Sequence, residues 1–191
     1  MTGLTIRPAY HEDAAAVAAI YAPIVHDTAI SFEAEPPSAA TMAERIGNTL
    51  PTYPWLVAVS GDQLLGYVYA GEHSGRAAYR WSVNVTAYVA ATARGQRVGR
   101  RLYDVLMAIL RAQGFRSAFA GITLPNEASV GLHEAIGFEP LGVYREVGFK
   151  LGAWRDVGWW RLALASGDGA PSEPEAFAQF RETAAFRALL A

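Results

Sequence analysis

A basic segment that carries two glycines, residues 94–101, has the clearest chemical potential in the sequence. It reads Arg-Gly-Gln-Arg-Val-Gly-Arg-Arg and follows a β-prone stretch that ends at Val89. Apolar residues recur at helical spacing from Leu102 onward, so the segment is predicted to join a strand to the start of a helix. The free N–H groups of a helix N-terminus, surrounded by four arginines, would attract a phosphate or pyrophosphate.

Two interpretations of this segment are open from the residues alone. Glycine at positions 95 and 99 would keep side chains from holding an anion away from the backbone. The segment lacks the Gly-Lys-Ser/Thr ending of a P-loop and the Gly-x-Gly-x-x-Gly spacing of dinucleotide sites. The alternative is an ordinary strand-to-helix turn with a solvated basic surface.

Composition limits the function classes. The chain has 191 residues, of which 52% are hydrophobic and 18% charged, as in one compact globular domain. A net charge of −2 argues against general nucleic-acid binding. The absence of cysteine excludes disulfides, thiolate metal sites and a cysteine nucleophile. The four histidines show no metal-ligand spacing, so no metal is predicted.

No apolar leader and no run of membrane-spanning length occurs in the sequence, which predicts a soluble, cytoplasmic protein with no membrane partner. The periodicities predict an α/β chain in the order strand, two helices, three strands, helix, strand, helix and two strands. The first helix is predicted over 11–25, with Pro23 ending or kinking it. Ser38 is the predicted N-cap of the second helix, and a long β-type run is predicted over 77–89.

The composition shifts to Gly, Ala, Ser, Pro and Glu after residue 165. We therefore divide the chain into a domain at 1–165 and a C-terminal extension at 166–191. A helix within 173–191 would place its apolar residues on one side, where they would pack on the domain or on a second subunit. These residues are Phe177, Phe180, Phe186 and Leu189.

Several segments resemble one enzyme superfamily. Residues 94–100 resemble the pyrophosphate loop of the GNAT acetyltransferases, with Arg97 where that pattern has a glycine, and residues 126–138 resemble the second cofactor segment. Further segments between residues 53 and 158 are similar to the phosphinothricin and methionine sulfoximine N-acetyltransferase subfamily. The resemblance implies a single-domain, mixed, mostly antiparallel sheet flanked by helices, and acetyl-CoA as co-substrate.

The resemblance also implies a cofactor-binding set. The backbone of Ala87, Tyr88 and Val89 would line the pantetheine and orient the acetyl carbonyl. Asn126 and Ser129 would contact the cofactor from their helix, although Asn126 is equally well explained as a helix cap. The implied pyrophosphate loop consists of Arg94, Gly95, Gln96, Arg97, Val98, Gly99 and Arg100.

Two residues are candidate catalytic groups by the same resemblance. His133 takes the place of a tyrosine near the CoA sulfur, where it would protonate the thiolate or assist the amine; its alternative is a structural helix histidine. Asn84 replaces the glutamate that the subfamily uses to bind or deprotonate the amine. An amide cannot be a general base, so another base, a less basic acceptor or a changed substrate is required.

Phe32 and Arg80 complete the predicted acceptor site, together with Asn84. Phe32 corresponds to an aromatic wall of the acceptor pocket, or is a core aromatic under its loop. Arg80 would pair with a substrate carboxylate, or is a solvated arginine on a strand edge. Resemblance to the subfamily also makes a homodimer plausible.

The first hypothesis is an N-acetyltransferase that acts on a small amino-acid-like amine by direct attack in a ternary complex. Its rivals within the class have a peptide N-terminus or another amine as acceptor. An open cleft between residues 28–37 and 150–156 would favour a peptide, and a closed aromatic pocket a small acceptor. Outside the class, an acyl-CoA-binding sensor without turnover and a nucleotide-binding α/β protein remain as alternatives.

Overall fold

The computed structural model describes residues 3–167 and 169–190 of the chain. The strands are β1 (Leu4–Pro8), β2 (Trp55–Ser60), β3 (Gln63–Glu72), β4 (Ser82–Val89), β5 (Ser117–Leu124), β6 (Glu139–Lys150) and β7 (Ala153–Ala163). The α-helices are α1 (Ala14–Asp27), α2 (Ala39–Thr49), α3 (Val98–Gln113), α4 (Glu127–Ile136), α5 (Phe177–Phe180) and α6 (Ala184–Leu190). Short 3-10 turns occupy His11–Asp13, Ala77–Tyr79 and Ala91–Ala93.

One seven-stranded sheet with the order β1-β2-β3-β4-β5-β7-β6 forms the centre of the molecule. Its neighbouring strands are antiparallel except for the parallel pair β4 and β5. That parallel register ends at Asn84 opposite Phe119, although β4 continues to Val89 and β5 to Leu124. The two strands therefore diverge towards their carboxyl ends. The mixed, mostly antiparallel sheet confirms the predicted fold class.

Helices cover the two faces of the sheet separately. Leu102, Leu106 and Leu110 of α3 are fully buried against a face that includes Val83 and Ala118. On the opposite face, α1 and α2 pack over β2 and β3. Because successive residues of a strand point to opposite faces, Asn84 and Phe119 lie on the face away from α3.

Three local predictions can be compared with the backbone. Ser38 caps α2 as predicted, since its hydroxyl accepts from the Thr41 N–H at 3.1 Å. Pro23 does not end α1, which continues to Asp27, because Ile24 and Val25 are buried and keep the last turn packed. The predicted β-run over 77–89 is too long, since a 3-10 turn occupies its start and β4 begins at Ser82.

The C-terminal extension packs on the domain itself. Phe177, Phe180 and Phe186 are 0%, 3% and 5% exposed and belong to the same core as α3. The Glu175 N–H donates to the Gln113 carbonyl at 2.7 Å, which fixes the extension to the end of α3. Positions 1, 2, 168 and 191 of the predicted domain and extension lie outside the described residues. The boundary at residue 165 stays a prediction.

Candidate active site

The diverging ends of β4 and β5 enclose a cleft of about 100 Å³. Five of the predicted site residues line it together: Ala87, Tyr88, Asn126, Ser129 and His133. The other lining residues come from β4, β5, α3 and the loop after α1, and are Ile30, Val85, Thr86, Tyr103, Ala120, Gly121, Ile122 and Thr123. Because the pairing with β5 has already ended, main-chain groups on the facing edges of the two strands have no strand partner. Such groups can bind amide groups and polarise a carbonyl.

The loop before α3 is shaped by two residues with left-handed backbone. Gly95 has φ 72° and Arg97 has φ 62°. A Cβ on Gly95 would meet no atom within 4 Å, so the backbone angle alone explains this glycine. Arg97 adopts the left-handed conformation at a cost of about 1 kcal/mol. The position where the superfamily pattern has glycine thus keeps the backbone that glycine favours.

The N-terminus of α3 leaves its first N–H groups available. Among the residues that the structure describes, no side chain caps this helix, and its first intrahelical bond runs from the Arg101 N–H to the Arg97 carbonyl at 3.0 Å. The N–H groups of Val98, Gly99 and Arg100 consequently have no intrahelical acceptor. The positive end of the helix dipole adds to these donors, which together suit a phosphate.

Gly99 is explained by packing. This residue is buried, and a Cβ there would lie 3.2 Å from Leu132 Cδ2 and 3.5 Å from Val89 Cγ2. Glycine therefore lets α3 approach α4 and the end of β4 closely. The expected reason, keeping a side chain away from an anion, does not apply at Gly99, because its Cβ direction is towards the protein interior.

The polar side chains of the loop differ in availability. Arg100 donates to Asp104 at 2.8 Å and to the Ala135 carbonyl at 2.9 Å, so it ties α3 to α4. Gln96 donates to the Thr92 carbonyl at 2.8 Å. Within residues 3–167 and 169–190, the exposed side chains of Arg94 and Arg97 form no hydrogen bond or ion pair. These two arginines are the ones placed to add charge to a bound phosphate.

The N-terminus of α4, unlike that of α3, is capped by a side chain. The Asn126 side chain accepts from the Ser129 N–H at 3.2 Å, which makes Asn126 the cap of this helix. Asn126 and Ser129 also line the cleft. The helix-cap interpretation is therefore present in the structure, and it does not remove either residue from the site.

His133 is buried at 5% exposure with both ring nitrogens engaged. Its Nδ1 lies 2.7 Å from the Ser129 carbonyl oxygen, and its Nε2 lies 2.9 Å from the Tyr103 hydroxyl. A carbonyl can only accept, so Nδ1 carries the proton and Nε2 accepts from Tyr103. Burial lowers the pKa of His133. The one N–H of the neutral ring is donated to the Ser129 carbonyl, so these contacts do not support the expected role as an acid.

Tyr103 is a site residue that sequence reasoning missed. Its helical spacing marked it only as part of the apolar side of α3. The structure places its ring in the cleft lining and its hydroxyl on His133, and burial raises the pKa of this hydroxyl. No local sequence signal separates Tyr103 from the other buried residues of α3, because its hydrogen-bond partner, His133, lies 30 residues away in the sequence.

A second missed residue, His73, lies against Asn84. The two side chains meet through His73 Nδ1 and Asn84 Oδ1 at 2.9 Å, and Asn84 Nδ2 donates to the Glu72 carbonyl at 3.3 Å. The His73 ring also stacks on Phe119 of β5, with a centroid separation of 4.3 Å. From the sequence, His73 was one of four scattered histidines, because its contact with Asn84 depends on the β3–β4 pairing.

A pocket of about 240 Å³ opens beside His73. Its walls are mainly apolar and, apart from His73, come from β5, β6 and β7. The residues are His73, Phe119, Leu141, Gly142, Tyr144 and Trp159. His73 is the lining residue with an imidazole side chain.

Phe32 lies in the loop at 28–37, which packs against β6. Its ring lies over Gly148 of β6, where a Cβ would overlap it. Lys150 Nζ donates to the carbonyls of Val25 at 2.6 Å, Ser31 at 2.6 Å and Glu33 at 2.9 Å. The loop at 28–37 is thereby fastened to β6. Phe32 is 43% exposed and is not among the residues that line the cleft.

Arg80 is held by the C-terminal extension. Its guanidinium donates twice to Glu173, both at 2.7 Å, and lies 3.9 Å over the Trp81 ring. Arg80 lines neither the cleft nor the pocket beside His73. The expectation that it binds a substrate carboxylate is therefore not supported by its position, because Glu173 already occupies its donors.

Comparison with known proteins decides the family. Residues 6–159 match the family model of the acetyltransferase (GNAT) domain. The chain belongs to the GNAT acetyltransferases. The phosphinothricin N-acetyltransferase of Streptomyces viridochromogenes is 39% identical to it over 156 residues, which are 82% of this chain and 85% of that protein.

Two further GNAT relatives cover nearly the whole domain. The L-methionine sulfoximine/L-methionine sulfone acetyltransferase of Pseudomonas aeruginosa is 32% identical over 169 residues, 87% of this chain and 98% of that protein. The solved phosphinothricin acetyltransferase of Sinorhizobium meliloti in complex with AcCoA has a TM-score of 0.86 and 35% identity, covering 91% of this chain and 95% of that one. These findings confirm the predicted family and identify an acetyl-CoA-dependent N-acyltransferase.

The geometry of the site in this chain fits acetyl-CoA. The uncapped N-terminus of α3 suits the pyrophosphate, and the unpaired edge of β4 suits the amide groups of pantetheine. When bound, acetyl-CoA supplies a thioester as the acetyl donor. In the described ranges, no helix is long and apolar enough to cross a membrane, and no group of three or more possible metal-ligating side chains occurs.

Proposed function

We propose that this GNAT enzyme transfers the acetyl group of acetyl-CoA to the amine of a small amino-acid-like substrate. The acceptor class is that of phosphinothricin and methionine sulfoximine, the compounds named for its relatives. The observation that carries the proposal is the divergence of β4 and β5 beyond Asn84, directly before an uncapped helix. This combination holds a long ligand with a phosphate at one end and a reactive carbonyl at the other.

The cofactor side of the proposed site uses mainly backbone groups. The N–H groups of Val98, Gly99 and Arg100 bind the pyrophosphate, and the exposed Arg94 and Arg97 add charge. The loop geometry that presents these donors depends on Gly95 and Gln96. Ala87 and Tyr88 line the pantetheine from β4, with Asn126 and Ser129 across the cleft and Val89 at the end of the strand.

The amine attacks the thioester directly in this proposal. A chain without cysteine lacks the strongest candidate for a covalent acetyl-enzyme. Fixed backbone dipoles of β4 polarise the acetyl carbonyl. His133 acts as a positioning residue, because its Nε2 accepts from Tyr103 and thereby orients that hydroxyl in the cleft.

The acceptor side favours a small molecule over a peptide. Lys150 fastens the loop at 28–37 to β6 through the carbonyls of Ser31 and Glu33, and Phe32 lies against β6 at the same place. An extended peptide would need this side to be open. Phe32 and Asn84 are the proposed acceptor-side residues, and Arg80 is omitted because Glu173 holds it.

Release of free CoA thiol from acetyl-CoA tests the proposal across a panel of amino acids that includes phosphinothricin and methionine sulfoximine. Turnover with at least one amino acid, and none with a peptide N-terminus of the same first residue, is the expected result. Binding of acetyl-CoA by calorimetry without acetylation of any amine would instead identify an acyl-CoA sensor.

The role of the loop has a matched control within the chain. Gly95 and Gly61 have φ 72° and 56°, and a Cβ on either would meet nothing within 4 Å. Alanine at each position carries a similar backbone strain of about 1–2 kcal/mol, yet only Gly95 belongs to the site. We expect Gly95→Ala to raise the KM for acetyl-CoA by up to about tenfold and Gly61→Ala to leave it unchanged. Equal KM values for the two variants would contradict the loop's role.

A homodimer and a cytoplasmic location are also proposed. The Phe-rich extension does not call for a second subunit, since it packs on its own domain. Most of the exposed large hydrophobic side chains lie instead on the edge hairpin β6–β7, at Leu141, Val143, Tyr144, Val147, Phe149, Leu151 and Trp154. Light scattering should give a dimer mass, and Phe149→Lys should shift it to a monomer. A chain without cysteine needs no oxidising compartment.

A further inference from the structure

His73 occupies the point where the cleft begins. It bonds to Asn84 of β4 and stacks on Phe119 of β5, and these two residues form the last pair of the β4–β5 register. Beyond this pair the strands separate. Thr86 lies two residues further along the same face of β4, which is about 7 Å, and it already lines the cleft. The imidazole therefore lies on the pair of residues from which the two strands diverge, one step along β4 before the cleft lining begins.

The hydrogen bonds around His73 determine which of its two ring nitrogens carries the proton. Asn84 Nδ2 donates to the Glu72 carbonyl, so Asn84 Oδ1 faces His73 and must accept. His73 Nδ1 therefore carries the proton of the neutral ring. Its Nε2 then has a lone pair and, within the described residues, no hydrogen-bond partner. This arrangement resembles an imidazole base oriented by a polar neighbour.

We propose that His73 takes the proton from the acceptor ammonium, with Asn84 holding the ring in the required tautomer. This inference rests on the proposed function and names the base that Asn84 cannot be. One ammonium proton moves to His73 Nε2. The neutral amine then forms the C–N bond as the C–S bond of the thioester breaks. The second amine proton leaves with sulfur as the thiol, and His73 returns its proton to solvent.

The pocket beside His73 defines the acceptor further. Its other walls are Phe119, Leu141, Tyr144 and Trp159, with no charged side chain among them. A space of about 240 Å³ suits a side chain of a few heavy atoms. Within the proposed acceptor class, the pocket therefore favours an amine with an uncharged substituent, as in methionine sulfoximine, over one with the anionic phosphinate of phosphinothricin, and the amine nitrogen faces His73.

The test compares two acceptors that differ in the basicity of their nitrogen. One is the best amino acid from the panel, and the other is its aminooxy analogue, whose nitrogen is already neutral at neutral pH. His73→Gln should lower kcat/KM for the amino acid by about 10²–10³-fold, the range of a lost general base, and change the aminooxy reaction by only a few-fold. His26→Gln is the matched control, because His26 is 79% exposed on α1 and lines neither the cleft nor the pocket beside His73.

The outcomes separate the inference from the proposed function. If the wild-type enzyme is inactive on both acceptors, the proposed function is overturned and the inference with it. If the wild-type enzyme is active and His73→Gln lowers kcat/KM equally for both acceptors, or for neither, only the role of His73 is overturned. Acetyl-CoA binding by calorimetry checks that the variant is folded, and His73→Asn replaces it if binding is lost. Recovery of amino-acid turnover on adding Asn84→Glu to His73→Gln supports the inference, since a carboxylate then supplies the base beside the same site.

Discussion

His133 and His73 lie on opposite faces of the sheet and have opposite surroundings. His133 is 5% exposed, packs between α4 and α3, and uses both nitrogens, one on the Ser129 carbonyl and one on Tyr103. His73 is half-buried on the other face and uses one nitrogen, on Asn84. Only the second ring keeps a lone pair that a substrate could use.

This difference shows that a sequence motif indicates where a site lies, whereas a ring nitrogen without a hydrogen-bond partner indicates which residue can react there. The segment around His133 was predicted to belong to the site, and three of its residues line the cleft between β4 and β5. It could not assign chemistry to His133, since that depends on whether its nitrogens are already satisfied. A fully bonded, buried histidine stabilises the fold, and a partly bonded one beside a pocket is available for proton transfer.

The largest expected effect that separates the two histidines is on stability. His133→Ala leaves the Tyr103 hydroxyl buried without an acceptor, so we expect it to lower the free energy of unfolding by about 2–3 kcal/mol. His73→Ala, in a half-exposed position, should cost less than about 1 kcal/mol. Urea denaturation followed by fluorescence measures both. Equal stability of the two variants would remove the structural distinction between the rings.

The pH dependence of stability sharpens the same contrast. Burial lowers the pKa of His133 in the native state, whereas the unfolded chain keeps the ordinary value of about 6.5. Between these two values the unfolded state binds a proton that the native state does not, so stability is full above pH 6.5 and decreases as the pH falls through that window. His133→Gln should show a smaller loss of stability than wild type between pH 7 and pH 5 in urea titrations. An unchanged slope would mean that His133 is not the group that titrates.

The sequence predicted the cofactor side better than the acceptor side for a physical reason. The loop at 94–100 and the cap at Asn126 are local, so their function depends on residues that are close in the chain. The acceptor side is assembled from β3, β4, β5 and the β6–β7 hairpin, and the contact between His73 and Asn84 exists only after these strands pair. Arg80 was misplaced for the same reason, because Glu173 approaches it from 93 residues away.

The roles of the glycines show the same limit at a single position. Both Gly95 and Gly99 were predicted to keep side chains away from a bound anion, and the structure gives the two glycines different explanations. Gly95 is required by its positive φ, whereas Gly99 is required by the approach of Leu132 on α4. The second cause is a tertiary contact that no pattern within the loop records.

The smallest expected effect concerns the backbone of the cofactor loop. Arg97→Gly relieves a left-handed arginine at φ 62°, which is worth about 1–2 kcal/mol, against a greater unfolded-state entropy of about 0.4–1 kcal/mol. We expect a net stabilisation of about 0.5–1 kcal/mol, seen as a higher melting temperature. Arg94→Gly is the matched control, because it removes the same exposed charge from a residue at φ −65° and should destabilise. Both variants should bind acetyl-CoA more weakly at low salt, with differences that shrink as salt screens the lost charge. A lower melting temperature for Arg97→Gly than for Arg94→Gly would show that backbone strain does not decide the residue at this position.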